Sequence, residues 1–290
     1  MNFSVFVFIA SGICFCVVDA IAKLLVTETN LITVMWARFL GQLIFSIPLA
    51  YFLVGRYFWK TEHFRLQIAR SSLLACASTL FFAGLFWLPL AEASAITFTA
   101  PIWVAVLSGP FLGEKVGKKE WLVACIGFCG ILFIVRPGSA IFHFAALLLI
   151  LMAFINALFQ LSTRKLVKDS IYTTFFYSGI IGATISSLLL PFSPELPDLS
   201  VTQYFLFAIV GLLGGLGQLL VVIAFYEMKP SKLTPLVYLQ MIWATALGYL
   251  IFNQVPDSIS TIGMLLIVVS GLWLIWHHQY GNEVPPLSDT

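Results

Sequence analysis

The feature that most constrains this chain is a succession of long apolar runs, separated by short breaks rich in polar, glycine or proline residues. A helix crossing a hydrocarbon layer needs about 20 apolar residues. No water reaches the backbone there, so only helices or closed barrels satisfy its N–H and C=O groups. The runs are continuous and not alternating, which predicts helices. Ten candidate spans result: 3–25, 31–54, 70–88, 93–112, 119–136, 142–162, 171–190, 203–225, 233–252 and 258–276. Together they take up roughly 200 residues, leaving short connections and no soluble domain of useful size. The expected fold class is an all-α integral membrane protein with ten transmembrane helices.

Charge supports this and excludes other classes. Only 10% of residues are charged and 60% are hydrophobic, whereas a soluble domain is about a quarter charged. A net charge of +2 offers no basic excess for nucleic acid, and disorder requires the opposite composition. Cys14, Cys16, Cys76, Cys125 and Cys129 all fall inside apolar runs and read as small hydrophobes, not as a disulfide or zinc framework. The first apolar run begins at Phe3 with no basic residue before it, so it is expected to be a membrane helix and not a cleaved leader.

Lysines and arginines orient the spans. One set of connections carries twelve: Arg56, Lys60, Arg65 and Arg70 after the second span, Lys115, Lys118 and Lys119 after the fourth, Arg164, Lys165 and Lys168 after the sixth, Lys229 and Lys232 after the eighth. The opposite set carries Lys23 and Arg136. This bias predicts both termini in the cytoplasm.

Cutting after the fifth span gives two halves, and an offset of 140 residues aligns Ile102, Trp103 and Leu107 with Ile242, Trp243 and Leu247. Five spans is an odd number, so the second half must be inverted in the membrane. Inverted repeats are a transporter architecture with the substrate site near the midplane. The expected division is 1–136 for the first repeat, 137–280 for the second and 281–290 for a cytoplasmic tail.

Particular residues carry a resemblance. Ala37-Arg38-Phe39, the stretch Pro89-Leu90-Ala91-Glu92-Ala93-Ser94-Ala95 leading to Thr99-Ala100-Pro101-Ile102-Trp103, and Leu112-Gly113-Glu114-Lys115 resemble an EamA-type domain of the drug/metabolite transporter superfamily. Pro235 through Tyr238-Leu239-Gln240 to Phe252-Asn253-Gln254-Val255-Pro256-Asp257 is similar to the matching part of a second EamA domain. Gln254 departs from the pattern, since an acidic residue like Glu114 is usual there. Asp19-Ala20-Ile21-Ala22-Lys23 resembles the first span of the branch containing S-adenosylmethionine, carboxylate and riboflavin carriers. The resemblance implies a multi-pass protein of the inner (plasma) membrane, without cofactor, that moves a small organic metabolite.

Charges inside spans are expensive and point to function. Asp19 and Arg38 lie at similar depth on consecutive antiparallel spans, roughly 10 Å below the outer surface by their offsets from the span ends. They are expected to pair, as a structural bridge, or to serve a substrate: Arg38 as a planar fork for a carboxylate or phosphate, Asp19 as its counter-ion or a proton acceptor. Lys23, one turn from Asp19, either supplies a second cation or snorkels to the interface. Gln42 extends the Arg38 face one turn deeper. Asn156 and Gln160 repeat that i, i+4 spacing in the sixth span, and Tyr238 and Gln240 flank the approach to Trp243, so these are the polar pocket candidates. Gln218 is isolated and is expected to act as interhelical glue.

Pro101 and Pro235 interrupt the helical ladder in the fourth and ninth spans, as hinges with exposed carbonyls or as static kinks. Gly211 and Gly215 give a close-packing face. Of 27 phenylalanines and 8 tryptophans, Phe98, Trp103 and Trp243, with Tyr238, stand beside polar or helix-breaking positions where rings stack on substrate. No metalloprotease, serine-hydrolase or phosphate-loop motif is present in the sequence, and no enzyme activity or metal site is expected. The function expected is secondary active transport of a small, carboxylate-bearing metabolite by alternating access, with protons or exchange as the drive and Asp19 as the coupling residue. The alternatives are a passive facilitator or channel, or an exporter of amphipathic compounds or vitamins such as riboflavin. Monomer and homodimer are not distinguished.

Overall fold

Apolar sequence that must satisfy its own backbone forms helices, and in the computed structural model no strand occurs among the described residues. These are 3–112, 118–135, 144–193, 199–228 and 233–280. Eleven α-helices run in order: α1 Phe3–Glu28, α2 Leu31–Val54, α3 Phe64–Trp87, α4 Leu90–Thr97, α5 Ala100–Leu112, α6 Lys118–Val135, α7 Ala145–Lys165, α8 Ile171–Leu189, α9 Val201–Glu227, α10 Gln240–Phe252 and α11 Ser258–Tyr280. Glu114 and Lys115, Arg136, Lys229 and Lys232, and the tail at 281–290 lie outside the described residues.

Local signals set several ends. Asn30 caps α2 by accepting from the Thr33 N–H, and Ser200 and Gln203 form a reciprocal capping box on α9, each pairing donors that a helix start leaves orphaned. Among the described residues six helical segments are long and apolar enough to cross a membrane: α1, α2, α3, α7, α8 with its 3₁₀ extension to Phe192, and α9. Among the described residues the apolar stretches Leu90–Val104, Cys125–Ile134, Gln240–Phe252 and Ser258–Ser270 are shorter. They fall on the other four expected spans.

Two expected helices are discontinuous. The segment 93–112 breaks at Phe98-Thr99 between α4 and α5, just before Pro101, which has no N–H to return to the Thr97 carbonyl. The segment 233–252 opens with a 3₁₀ turn at Thr234–Leu239, containing Pro235, before α10 begins. The two prolines thus mark corresponding breaks in the two halves, although the side chains of Pro235 and Tyr238 lie outside those described.

The helix pairings repeat when the halves are exchanged. α1 packs on α9 and α3 on α7; α2 packs on α9 and α8 on α3; α5 packs on α7 and α10 on α1. The remaining extensive pairs, α2 with α8 and α6 with α11, join equivalent helices. Backbones touch closely at two of these crossings. A Cβ on Gly211 would sit 2.8 Å from the Ala37 carbonyl oxygen and 2.9 Å from the Gly41 Cα, and one on Gly263 would sit 2.6 Å from the Gly130 carbonyl oxygen.

Arg70 corrects the topology count. It is not a loop charge: it lies on α3, six residues after Phe64, and is fully buried. Its Nε donates to Thr163 Oγ1 at 2.7 Å and its Nη1 to Ser178 Oγ at 2.6 Å and the Thr174 carbonyl at 3.3 Å, with the guanidinium over the Phe159 ring at 4.8 Å. Gln67, one turn earlier, donates to Thr174 Oγ1 and to Asp169 Oδ2. Thr174 in turn bonds the Tyr226 hydroxyl at 2.6 Å. Side chains from α3, α7, α8 and α9 are thereby joined in one polar network. Without Arg70 the expected bias rests on eleven charges, of which Lys115, Lys229 and Lys232 lie outside the described residues.

Candidate functional site

Between the halves lies a cavity of about 150 Å³, open on one side. Its walls come from α1, α2, α3, α4, α5, α7, α9, the 3₁₀ turn and α10. Both discontinuous segments contribute, through Thr97, Phe98 and Ala100 on one side and Val237 and Gln240 on the other.

Asp19 and Arg38 line this cavity. No hydrogen bond or close ion pair joins them among the described residues, although each stands in the other's field; Arg38 is 6% exposed, and its Nε has no hydrogen-bond partner. Its guanidinium instead rests among rings, with centroids at 5.5 Å for Phe15, 5.5 Å for Phe82 and 6.0 Å for Phe39. Arg38 packs against α9 at Gly214, its Cγ 3.4 Å from where a Cβ there would stand, an ordinary van der Waals distance. A buried guanidinium held by π faces keeps its charge partly compensated while its in-plane donors stay available.

The rest of the wall mixes rings with neutral polar groups. Phe8, Phe15, Phe81, Phe82, Phe98, Phe159 and Phe225 supply flat apolar surface. Asn156, Gln160, Gln218 and Gln240 supply amides, and Ser11, Ser78, Ser94 and Thr97 supply hydroxyls. Asn156 and Gln160 face the cavity together, as their spacing on one helical face predicts.

Other expected residues stand elsewhere. Gln42 is 1% exposed and donates weakly to the Phe175 carbonyl at 3.4 Å. It lies against Gly215, between α2, α8 and α9 and outside the cavity lining. Trp103 packs edge-on to Phe154 at 5.4 Å, beside Val104, Ala157 and Leu161. Trp243 is 47% exposed on the outer surface. Pro101 is buried next to the wall residue Ala100. Lys23 makes no bond to Asp19: it is buried, donates to the Leu88 carbonyl and lies 5.4 Å from the Phe252 ring centroid. It ties α1 to the α3–α4 corner and to the end of α10. Glu92 accepts from Ser260 Oγ at 3.2 Å, and Glu227 is exposed at the end of α9.

Sequence reasoning assigned Gln218 to helix packing and passed over the small hydroxyls; the structure places both in the cavity wall. Ser11 and Thr97 bond back to the Phe8 and Ser94 carbonyls, the ordinary state of serine and threonine in a helix.

A helical bundle with an apolar exterior, broken helices and a charged internal cavity defines a multi-pass membrane protein. The EamA-like transporter family matches residues 2–136 and 143–276, two repeats that together span most of the chain. This chain belongs to the EamA-like transporter family. It is 28% identical over 266 residues to the S-adenosylmethionine uptake transporter of Rickettsia bellii, covering 90% of this chain and 89% of that one. It is 25% identical over 269 residues to the riboflavin transporter of Vibrio cholerae, covering 90% and 89%. With the pseudopaline exporter of Pseudomonas aeruginosa it shares 25% over 205 residues, 70% of this chain and 72% of the other. A solved crystal structure superposes with a TM-score of 0.66 at 18% identity, over 92% of this chain and 96% of that one, which shows the shared fold.

Proposed function

We propose that this protein is a secondary active transporter that carries a zwitterionic, ring-bearing metabolite of the S-adenosylmethionine type across the inner membrane by alternating access. The observation that carries this reading is the placement of Asp19 and Arg38 in one cavity without a hydrogen bond between them. A buried arginine with an orphaned donor, facing a carboxylate that it does not hydrogen-bond, is only partly compensated, and a ligand bearing both charges completes the compensation. Arg38 takes the carboxylate through its fork, Asp19 faces the cationic centre or a coupling proton, and the phenylalanine wall takes the ring. Phe98, Asn156, Gln160 and Gln240 complete the binding set, with Pro101 and Pro235 at the hinges.

The proposed topology is ten spans in two inverted five-helix repeats, 1–136 and 137–280, with both termini in the cytoplasm. The four shorter helical stretches serve as the remaining spans. Support comes from the lysine and arginine bias and from helix pairings that repeat when the halves are exchanged.

The test is uptake of labelled S-adenosylmethionine into proteoliposomes, with and without an imposed pH gradient, by the wild type and by Arg38→Gln and Arg38→Lys. Saturable uptake in the wild type and at least a tenfold loss in both variants is expected, because lysine lacks the planar fork. Accumulation above equilibrium under the gradient separates active transport from facilitation. Unchanged uptake by Arg38→Gln would sink the reading. The ring-rich wall also suits an uncharged flat solute such as riboflavin, whose transport Arg38→Gln would leave intact.

A further inference from the structure

We infer that Gln218 is a specificity-determining residue, whose side-chain amide reads the hydrogen-bonding edge of a nitrogen heteroring of the adenine kind. The inference rests on the cavity being the substrate site and names the part of the substrate that site distinguishes.

Four observations carry it. Gln218 lines the cavity and is 2% exposed, so bulk water does not serve it. Its Nε2 has no hydrogen-bond partner, and no bond to its Oε1 occurs among the described contacts; turning the amide over exchanges the two atoms and leaves the group equally unpaired. A buried amide without a partner is costly and uncommon, and the cost disappears when a ligand supplies the complement. Lastly, the surroundings are built for a flat ring. Gly214, one turn before Gln218, lies against the Arg38 side chain, and Gly217, its immediate neighbour, accommodates Phe15, whose Cε1 lies 3.1 Å from where a Cβ would stand. Guanidinium, ring face and amide therefore occupy adjoining places on one wall.

The order of groups selects the ligand. A glutamine amide offers one donor and one acceptor side by side, the complement of a ring edge carrying an acceptor nitrogen next to an exocyclic amino group; adenine is bound in this bidentate way by asparagine and glutamine elsewhere. Arg38 fixes the charged end, Phe15 lies between, and Gln218 reads the ring. At the edge formed by the imidazole-side N7 and the amino group, which is the edge read here, an oxo group in place of the amino group sets two acceptors side by side and leaves one of the two bonds unmade. Sites built to hydrogen-bond a group reject analogues lacking it far more strongly than apolar pockets do.

The experiment measures equilibrium binding to purified full-length protein in detergent, for wild type, Gln218→Leu and Gln218→Glu. The probes are S-adenosylmethionine, its deaminated inosine analogue, and S-methylmethionine, which keeps the amino-acid and sulfonium groups without a ring. Wild type is expected to prefer the adenine compound to the inosine analogue by about 10- to 100-fold. Gln218→Leu should lose that preference while binding S-methylmethionine as the wild type does. Gln218→Glu, closer in size to the native residue, keeps an acceptor for the amino group but not the amide donor, so it should retain a reduced preference, and a thermal unfolding midpoint near that of the wild type shows that the variant is folded. Equal weakening toward all three probes, or an undiminished preference in both variants, overturns the role of Gln218. Absence of wild-type binding to all three probes overturns the substrate class itself and the inference with it, an outcome distinguishable because it needs no variant.

Discussion

Replacing Arg70 with methionine tests whether the polar network holds the bundle together. Arg70 makes three hydrogen bonds, to Thr163, Ser178 and the Thr174 carbonyl, and lies over Phe159. Each bond from a charged donor contributes about 1.5–3 kcal/mol net. Two facts reduce the sum: the Thr163 and Ser178 hydroxyls keep their own bonds to the Phe159 and Thr174 carbonyls, and methionine retains part of the packing on Phe159. The buried charge, with Nη2 unpartnered, also costs desolvation that methionine does not incur. The expected net loss is about 3 kcal/mol, read as a shift in reversible unfolding by SDS in mixed micelles. Arg70→Lys should fall between, since it keeps the charge and loses the fork. Stability of Arg70→Met within about 0.5 kcal/mol of wild type would refute the reasoning and show that the network merely tolerates a buried charge.

Two further outcomes follow from geometry. Gly211→Ala places a Cβ 2.8 Å from the Ala37 carbonyl oxygen and 2.9 Å from the Gly41 Cα; both are backbone, so α2 and α9 must separate, at about 1–3 kcal/mol, seen as a lowered thermal midpoint in detergent. At Asp169, in the connection after α7, burial pushes the carboxyl upward, but hydrogen bonds from Thr61, Gln67 and His63, with the His63 charge, together hold it below its ordinary value. A lowered folded value means that its contribution is complete above the unfolded value, near 4, and fades as pH falls through the folded one. Asp169→Asn should therefore be less stable than wild type near neutrality, with the gap closing below about pH 4; a gap independent of pH would contradict this.

The helical class and the cavity's charges were legible because lipid makes both conspicuous: a span must be apolar, and any charge in it needs a reason. Asp19, Arg38, Asn156 and Gln160 could be found that way. What could not be read was angular position after a break. Trp243 follows a six-residue 3₁₀ turn, which advances about 120° per residue instead of about 100°, so its face is not the one that continuous helical counting gives. Gln42 shares the Arg38 face, but glycines at 41, 211 and 215 bring α9 so close that the amide is enclosed between helices. Arg70 looked like a loop charge because its acceptors, Thr163, Thr174 and Ser178, belong to helices far along the chain, and nothing near it in sequence announces them.

The pairings that repeat between halves also have a consequence for how the protein is made. Every one of the most extensive helix contacts joins a helix of residues 1–136 to one of residues 143–276. A ribosome that has delivered only the first half has inserted helices whose principal neighbours do not yet exist. The repeats are therefore not separately folding domains but interleaved parts, and assembly waits for the second half of the message.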